Sequence, residues 1–160
     1  MAQKLEKQNI CNAGEYYLAA YLSAKNFVVT VTLGRAEGYD LLVVNPKGKP
    51  LKISVKTRLP KTKRFALNKK CENLKSDDLF YAFISLDNFQ SVPKFWIVHS
   101  KIVAERLKES YDKWKITPNK QGGTHNDTNM RNFCPYNEKY YPANWENEVK
   151  KYKENIDILK

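Results

Sequence analysis

The most uniform hydrophobic run in the chain covers residues 79–86, where Leu, Phe, Tyr, Ala and Ile follow one another with a single serine among them. A near-continuous apolar run of this length is typical of a β-strand that is buried on both faces. We therefore expect it to be a central strand of a sheet. Residues 27–33, 41–44 and 94–99 are also rich in β-branched, leucine or aromatic side chains and predict three further strands.

Apolar and polar side chains alternate over residues 51–57. Because successive side chains of a strand point to opposite faces, this alternation predicts a strand with one core face and one polar face. The core face carries Leu51, Ile53, Val55 and Thr57, and the polar face carries Lys52, Ser54 and Lys56.

Two long helices are expected at either end of this strand-rich region. The first extends from Asn9 or Asn12, either of which is a suitable N-cap, to Lys25, because the segment lacks proline and is rich in good helix formers. The second follows residues 94–99, with Ser100 as its N-cap and its end near residue 115.

Shorter elements complete the pattern. Residues 65–67 predict a short strand, and residues 68–75 a short helix. Residues 116–135 contain few apolar side chains and two adjacent glycines, which predicts a loop. Residues 146–159 have mixed charges and suit a terminal helix.

The order helix, three strands, basic segment, two strands, helix predicts an α/β fold with a mixed five-stranded sheet and helices on both faces. At 160 residues the chain is long enough to form one hydrophobic core, and it contains no internal repeat or linker. We expect a single domain over residues 1–160, with its core at about 9–115 and a loop and helix extension at 116–160.

The strands at 41–44 and 51–57 are joined by a turn that contains Pro46 and Gly48, which predicts a β-hairpin. If Lys47 is the centre of the turn, Asp40 and Ser54 are equally distant from it and face each other. Lys56 lies on the same face as Ser54. The hairpin thus brings together a carboxylate that can bind a metal and an ammonium group that can bind phosphate, as in a nuclease.

This stretch resembles the PD-(D/E)XK superfamily of restriction-endonuclease-like nucleases. The pattern of that superfamily is an Asp, a hairpin, and then Glu, Asp or Gln, any residue and Lys on the next strand, often with a Glu on the preceding helix. Asp40 matches the Asp, Lys56 matches the Lys and Glu15 matches the helix Glu. Ser54 departs from the pattern, since it stands where the second acidic residue belongs. The order of elements over about residues 9–115 matches as well.

The resemblance implies a restriction-endonuclease-like fold and a catalytic site made of Asp40, Lys56, Glu15 and Ser54. It also implies Mg²⁺ (or Mn²⁺) as the cofactor and hydrolysis of phosphodiester bonds as the reaction. In that reaction the metal lowers the pKa of a water molecule, and Lys56 orients this water or stabilises the charge that develops on the phosphate.

A lone Asp40 is a poor magnesium site, because the ion prefers octahedral oxygen ligation that usually includes one or two carboxylates. The backbone carbonyl of Val55 is expected to contribute one ligand. The second carboxylate comes from Glu15, which shares a helical stripe with two leucines, or from Glu72 in the expected short helix. Some restriction enzymes of the superfamily carry Ser-Val-Lys at this place and recover the carboxylate from a following helix, which makes Glu72 an alternative to Glu15.

The net charge of the chain indicates which class of partner it binds. Lys and Arg number 28 against 17 Asp and Glu, so the net charge is +11 and a polyanion, above all DNA, is the expected partner. Residues 52–75 contain nine basic side chains and one acidic side chain. Such a density of like charge is easier to understand if phosphates neutralise it. The candidate nucleic-acid-binding residues are Lys52, Arg58, Lys61, Lys63, Arg64, Lys69 and Lys70.

The three cysteines, Cys11, Cys71 and Cys134, are widely spaced, and with two histidines in the whole chain they form no zinc-binding pattern. We expect reduced, partly buried thiols. The first residues contain no apolar signal core, and no run approaches a membrane span, so a cytoplasmic protein with no membrane contact is expected.

The sequence therefore predicts a divalent-metal-dependent DNA endonuclease, and cutting both strands of a duplex favours a homodimer. The alternative is a catalytically silent protein of the same fold that binds nucleic acid or serves as an accessory protein of a restriction or defence system, which Ser54 favours. A third interpretation is a protein-binding module whose lysine-rich face meets an acidic partner.

Overall fold

Five strands form one mixed sheet in the computed structural model, which describes residues 6–32 and 38–160. The sheet has the strand order β1-β2-β3-β5-β6, and β3 and β5 are parallel while the other neighbours are antiparallel. The predicted mixed five-stranded sheet is confirmed. In chain order the strands are β1 (Val28–Val31), β2 (Leu41–Val44), β3 (Pro50–Arg58), β4 (Phe65–Asn68), β5 (Leu79–Ser85), β6 (Lys94–His99) and β7 (Met130–Phe133).

Helices cover both faces of this sheet. The α-helices are α1 (Lys7–Ser23), α2 (Ser100–Ile116) and α3 (Trp145–Val149), and short 3₁₀ helices span Lys69–Glu72, Lys150–Tyr152 and Asp157–Leu159. One hydrophobic core lies between the sheet and α1, and a second lies between the sheet, α2, α3 and the β4–β7 pair. The predicted arrangement, with helices on both faces, is confirmed.

The apolar run of β5 supplies both cores. Phe80, Ala82 and Ile84 belong to the core under α1, whereas Tyr81 and Phe83 belong to the core under α2. This division follows from the alternation of side chains along a strand and explains why nearly every position of β5 is apolar. The strand lies inside the sheet as predicted, although β3 holds the middle position.

The hairpin between β2 and β3 has the predicted register. Leu41 pairs with Ile53 and Val44 pairs with Pro50, so the turn is centred on Lys47. Asn45 closes the turn, because its side-chain oxygen accepts hydrogen bonds from the amides of Lys47 and Lys49, at 3.0 and 2.9 Å. The register is therefore set locally by the turn.

Both predicted N-caps of the long helices are wrong. The first helix begins at Lys7, before Asn9 and Asn12, and the side chain of its N-cap residue, Glu6, makes no capping hydrogen bond within the described part of the chain. At the second helix the Nδ1 atom of His99 accepts a 3.2 Å hydrogen bond from the amide of Lys101, so His99 is the N-cap. The Ser100 hydroxyl donates instead to the carbonyl of Ser76, at 2.9 Å, and ties the helix to the segment before β5.

The chain after residue 115 differs most from the expectation. Residues 130–133, predicted as loop, form β7 and pair with β4 in a separate two-stranded sheet. The predicted terminal helix at 146–159 is wrong: α3 is five residues long, and Glu154 adopts a left-handed φ of 52°. There its amide donates a 2.9 Å hydrogen bond to Phe95 on the edge strand β6, which ends the helical path.

Residues 33–37, which include the end of the predicted strand at 27–33 and most of the loop before Asp40, lie outside the described residues. In the part of the chain that the structure describes, no helix has the length and hydrophobicity needed to cross a bilayer. The cysteines are free thiols there, with Cys71 and Cys134 buried and Cys11 half-buried, as expected.

Candidate active site

The candidate site lies where β2 separates from β3. The ladder between the two strands ends at the Leu41–Ile53 pair, and the amide of Asp40 makes the last backbone contact, 2.9 Å from the carbonyl of Ile53. Beyond this point the N–H and C=O groups of Val55 on the β2 side need other partners, since unpaired backbone groups are costly. Side chains supply them.

The carboxylate of Asp40 binds the N–H group of Val55. Its Oδ2 atom accepts a 2.6 Å hydrogen bond from the amide of Val55 and a 3.3 Å hydrogen bond from the hydroxyl of Ser54. Asp40 and Ser54 are thus brought face to face, as the hairpin register predicts. The carboxylate is fixed to β3 by two contacts, which defines its orientation.

The ammonium group of Lys56 binds the C=O group of Val55. Its Nζ atom donates to the carbonyl of Val55 at 3.1 Å and to the hydroxyl of Ser54 at 2.9 Å, and it lies 3.7 Å from Oδ2 of Asp40. About one third of each charged side chain is accessible to solvent. An ion pair this exposed contributes at most about 1 kcal/mol to stability, so the attraction between these two charges does little for the fold.

The hydroxyl of Ser54 connects the two charges. It accepts from the ammonium group of Lys56 and donates to the carboxylate of Asp40. Ser54 is buried, with 5% of its surface exposed. A neutral, buried side chain therefore orders the aspartate and the lysine.

Glu15 reaches the same site from α1. The helix approaches β3 closely at Gly14, where a β-carbon would lie 1.9 Å from Oγ1 of Thr57. Burial raises the pKa of the Glu15 carboxyl, the negative charge of Asp40 raises it further, and the positive charge of Lys56 lowers it. The charges of both Asp40 and Lys56 therefore act on the carboxyl of Glu15.

Glu72 has a different partner. Its carboxylate accepts a hydrogen bond from Nε of Arg131, and the guanidinium of Arg131 lies over the ring of Tyr111, 3.3 Å from its centroid. Arg131 is almost fully buried, so this ion pair belongs to the core beneath α2. The hydrogen bonds of Glu72 link it to Arg131 and not to Asp40, Ser54 or Lys56.

The basic residues predicted to bind nucleic acid divide into two groups. Four are already engaged: Lys52 pairs with Asp78 at 2.9 Å, Arg64 with Glu138 at 2.8 Å and Lys69 with Asp127 at 3.6 Å, and the Arg58 guanidinium is buried against the carbonyls of Leu59 and Thr62. Among the described residues, Lys61, Lys63 and Lys70 have no acidic side chain within 4.0 Å, and all three are exposed.

Sequence reasoning missed the two contacts that hold the site in place. The backbone amide of Val55, which anchors Asp40, has no signal in the sequence. Gly14 does have one, because a glycine inside a helical pattern often marks a close packing contact. In residues 6–32 and 38–160 no group of three or more His, Cys, Asp or Glu side chains could hold a metal ion.

Comparison with solved structures shows that the fold is similar to that of a nuclease. A bacterial homing endonuclease, I-Ssp6803I, superposes with a TM-score of 0.56 and 12% sequence identity over 98% of this chain and 92% of that chain. No protein-family model matches the sequence, and no curated protein matches it. At this identity the likeness establishes an endonuclease-like fold and leaves the chemistry to the residues at the site.

Proposed function

We propose that this protein is a divalent-metal-dependent DNA endonuclease with an active site of the PD-(D/E)XK type. The observation that carries the proposal is the grouping of Asp40, Ser54 and Lys56 within 3.7 Å of one another at the fork between β2 and β3. Glu15 adds a second carboxylate from α1. The endonuclease-like fold makes DNA the expected substrate.

The donor set fits Mg²⁺ or Mn²⁺. Hard cations prefer oxygen ligands, and magnesium sites commonly use one or two carboxylates with the remaining ligands from water and substrate phosphate. Asp40 and Glu15 would hold the ion together with the carbonyl of Val55. Burial and then the negative charge of Asp40 raise the pKa of Glu15, and a bound cation would relieve the repulsion between the two carboxylates. Glu72 is the weaker candidate ligand, because Arg131 occupies its carboxylate.

The side chains of the site have separate roles on this proposal. When bound, the metal offsets the charge of a phosphate and lowers the pKa of water. Lys56 uses two of its three N–H groups on Ser54 and Val55, which leaves one for the attacking water or for a phosphate oxygen. Ser54 orients Lys56 and Asp40, because its hydroxyl accepts from the ammonium group and donates to the carboxylate.

The experiment that tests the proposal compares cleavage of plasmid, linear duplex and branched DNA in Mg²⁺, Mn²⁺ and EDTA. The wild type is expected to cut only with metal, and Asp40→Ala and Lys56→Ala are expected to lose cutting. Asp78→Ala is the matched control, because Asp78 pairs with Lys52 near the other end of β3. Cutting that persists in Asp40→Ala, or in EDTA, contradicts the proposal.

A catalytically silent DNA-binding or defence-accessory protein of the same fold is the second candidate. The closed hydrogen-bond network in which Ser54 replaces the second acid favours it. On this alternative the wild type binds DNA with and without metal, never cuts it, and shows no heat of Mn²⁺ binding in calorimetry. The same set of proteins therefore separates the two candidates.

We further propose that residues 1–160 make up one restriction-endonuclease-like domain and that it acts as a homodimer. The pairing of β7 with β4 and the packing of α3 into the core under α2 support the first point, since residues after 115 complete a core of the sheet. Cutting both strands of a duplex calls for two sites, which supports the second. Sedimentation of the protein with and without a duplex tests it.

A further inference from the structure

The turn between β5 and β6 exposes two large apolar side chains. Phe89 is 60% exposed and Val92 is 80% exposed. The turn itself is ordered by contacts of Asp87, whose carbonyl accepts from the amide of Gln90 at 2.8 Å and whose carboxylate accepts from the hydroxyl of Ser91 at 3.3 Å. The apolar tip is therefore held in a defined shape.

The backbone of this turn is an unfavourable place for a phenylalanine. Asn88 and Phe89 have φ values of 46° and 57°, which lie in the left-handed region. Asparagine and glycine adopt this region readily, whereas a bulky residue there is strained. Because most of the Phe89 ring is exposed, its burial offsets little of that strain. An observed outlier of this kind points to a functional role for the side chain.

The turn lies at the same end of the sheet as the candidate active site. Strands β3 and β5 are parallel, with Lys56 opposite Phe83 and Arg58 opposite Ser85. The C-terminal ends of both strands therefore lie side by side. The turn follows the C-terminal end of β5, and the basic segment at residues 59–64 follows the C-terminal end of β3. The ring of Phe89 lies 6.3 Å from that of Tyr17 on α1, the helix that also carries Glu15.

A groove of about 540 Å³ separates the turn from the basic segment. Its walls include Thr62 and Lys63 on one side and Val92 and Lys94 on the other. Arg58 also lines it, and its buried Nε atom has no hydrogen-bond partner among the described residues. Three cations outnumber the two acids of the groove, Asp87 and Glu146. Apolar and cationic groups side by side suit a nucleic-acid strand, which presents bases and phosphates.

We propose that the turn at residues 87–93 is a second DNA-binding element, in which Phe89 and Val92 contact bases while Lys63 and Lys94 bind phosphates of the same strand. The inference rests on the proposed function, because it takes DNA as the substrate. Apolar side chains that stack on or wedge between bases are a common means of holding and distorting a strand. The turn follows the C-terminal end of β5, which is parallel to the strand that carries Lys56, so this contact would position the DNA strand for cutting.

The test measures binding of a fluorescently labelled duplex by anisotropy for the wild type, Phe89→Gly, Phe89→Trp and Ile116→Ala. Ile116 is the control, because it is an exposed apolar residue at the end of α2. Phe89→Gly is expected to weaken binding about fivefold to a hundredfold, since stacking on one aromatic side chain is worth that much. Its melting temperature should equal or exceed that of the wild type, because glycine relieves the strain.

Phe89→Trp is expected to keep wild-type affinity and to gain a fluorescence signal that DNA quenches beyond the quenching seen in the wild type. The salt dependence of binding should not change in any Phe89 variant, because no cation is removed. If the wild type binds and cuts DNA while Phe89→Gly behaves as Ile116→Ala, this inference alone fails. If the wild type does not bind a duplex, the proposed function and this inference fail together.

Discussion

The backbone amide of Val55 donates a 2.6 Å hydrogen bond to Oδ2 of Asp40, at the point where the ladder between β2 and β3 ends. The carboxylate thus replaces a missing strand partner. This contact gives Asp40 a structural role beside its proposed role as a metal ligand, and the two roles can be separated by mutation.

Asp40→Asn keeps an oxygen that can accept from Val55, whereas Asp40→Ala leaves that amide without a partner. We expect Asp40→Ala to lower the free energy of unfolding by about 1 kcal/mol because the site is partly exposed, and Asp40→Asn to lower it less. Both variants should lose Mn²⁺ binding and cutting, since the negative charge is gone. Denaturant unfolding and calorimetry measure the two effects, and equal Mn²⁺ affinity of Asp40→Asn and the wild type would show that Asp40 is no ligand.

Glu15 gives a pH-dependent prediction. Its pKa in the folded protein is raised above the usual value of 4.5, so the folded state loses stability as pH rises through the raised pKa and the carboxyl ionises. Glu15→Gln should therefore melt at a higher temperature than the wild type at pH 7. The difference should disappear below about pH 4, where the carboxyl of the wild type is protonated in both states.

At pH 7, Mn²⁺ should raise the melting temperature of the wild type above that of Glu15→Gln. A ligand that binds only the folded state stabilises it, and the wild type offers two carboxylates where Glu15→Gln offers one. Melting curves with increasing Mn²⁺ measure this effect. If Mn²⁺ raises the melting temperature of both proteins equally, Glu15 does not bind the metal.

Glu72 is expected to stabilise the folded protein and not to bind the metal. Removing it leaves the charge of the buried Arg131 without its carboxylate, so Glu72→Ala should cost about 3–5 kcal/mol of unfolding free energy. The double variant Glu72→Ala, Arg131→Met removes both charges and should recover most of the loss. The double variant should also bind Mn²⁺ as the wild type does, and loss of binding in calorimetry would make Glu72 the second ligand in place of Glu15.

Gly14 fixes the distance between α1 and β3. Alanine is the better helix former by about 1 kcal/mol, but its β-carbon would lie 1.9 Å from Oγ1 of Thr57. We expect Gly14→Ala to be destabilising by about 1–3 kcal/mol through overpacking and to lower cutting by displacing Glu15. The double variant Gly14→Ala, Thr57→Ala should recover part of the lost stability and part of the lost cutting.

A second glycine provides the control for this prediction. At Gly123 the nearest atom to an added β-carbon would be Nδ2 of Asn119, at 3.3 Å, at the end of a flexible side chain. Gly123→Ala should therefore be nearly neutral. A stability of Gly14→Ala equal to that of Gly123→Ala would contradict the close contact between α1 and β3.

The basic segment after β3 is tested with two matched pairs of lysines. Lys61 and Lys63 follow the C-terminal end of β3, whereas Lys47 and Lys49 lie in the turn before its N-terminal end. Reversing either pair to glutamate changes the net charge equally. Only the Lys61, Lys63 variant should reduce the slope of log affinity against log salt, by about 2 if each lysine contacts one phosphate. Equal slopes in the two variants would mean that binding follows net charge and not this segment.

Much of this fold could be predicted because its signals are local. The apolar run of β5 and the alternation in β3 predict strands inside a sheet, and the turn centred on Lys47 sets the register that brings Asp40 opposite Ser54. Each of these features depends on residues within one strand or one turn. The candidate site could be predicted as far as Asp40, Ser54 and Lys56 for the same reason.

The stripe that Glu15 shares with two leucines of α1 favoured it over Glu72, but no local pattern indicates what surrounds either carboxylate. Those surroundings differ: the charges of Asp40 and Lys56 act on the carboxyl of Glu15, whereas Arg131 binds the carboxylate of Glu72. Arg131 lies next to Glu72 only because β7 pairs with β4, and β7 was expected to be loop. Its four residues include one arginine and one asparagine, which carry little strand preference of their own.

The sequence by itself determined the order of the elements, the mixed sheet and the hairpin that carries the aspartate and the lysine. The tertiary structure decided the pairing of β7 with β4, the broken path of the last residues and the partners of the two glutamates. The physical reason is that periodicity and turn chemistry act between neighbours in the chain, whereas these contacts join distant segments. They form because packing leaves a sheet edge, a buried charge or an unpaired amide that another segment satisfies.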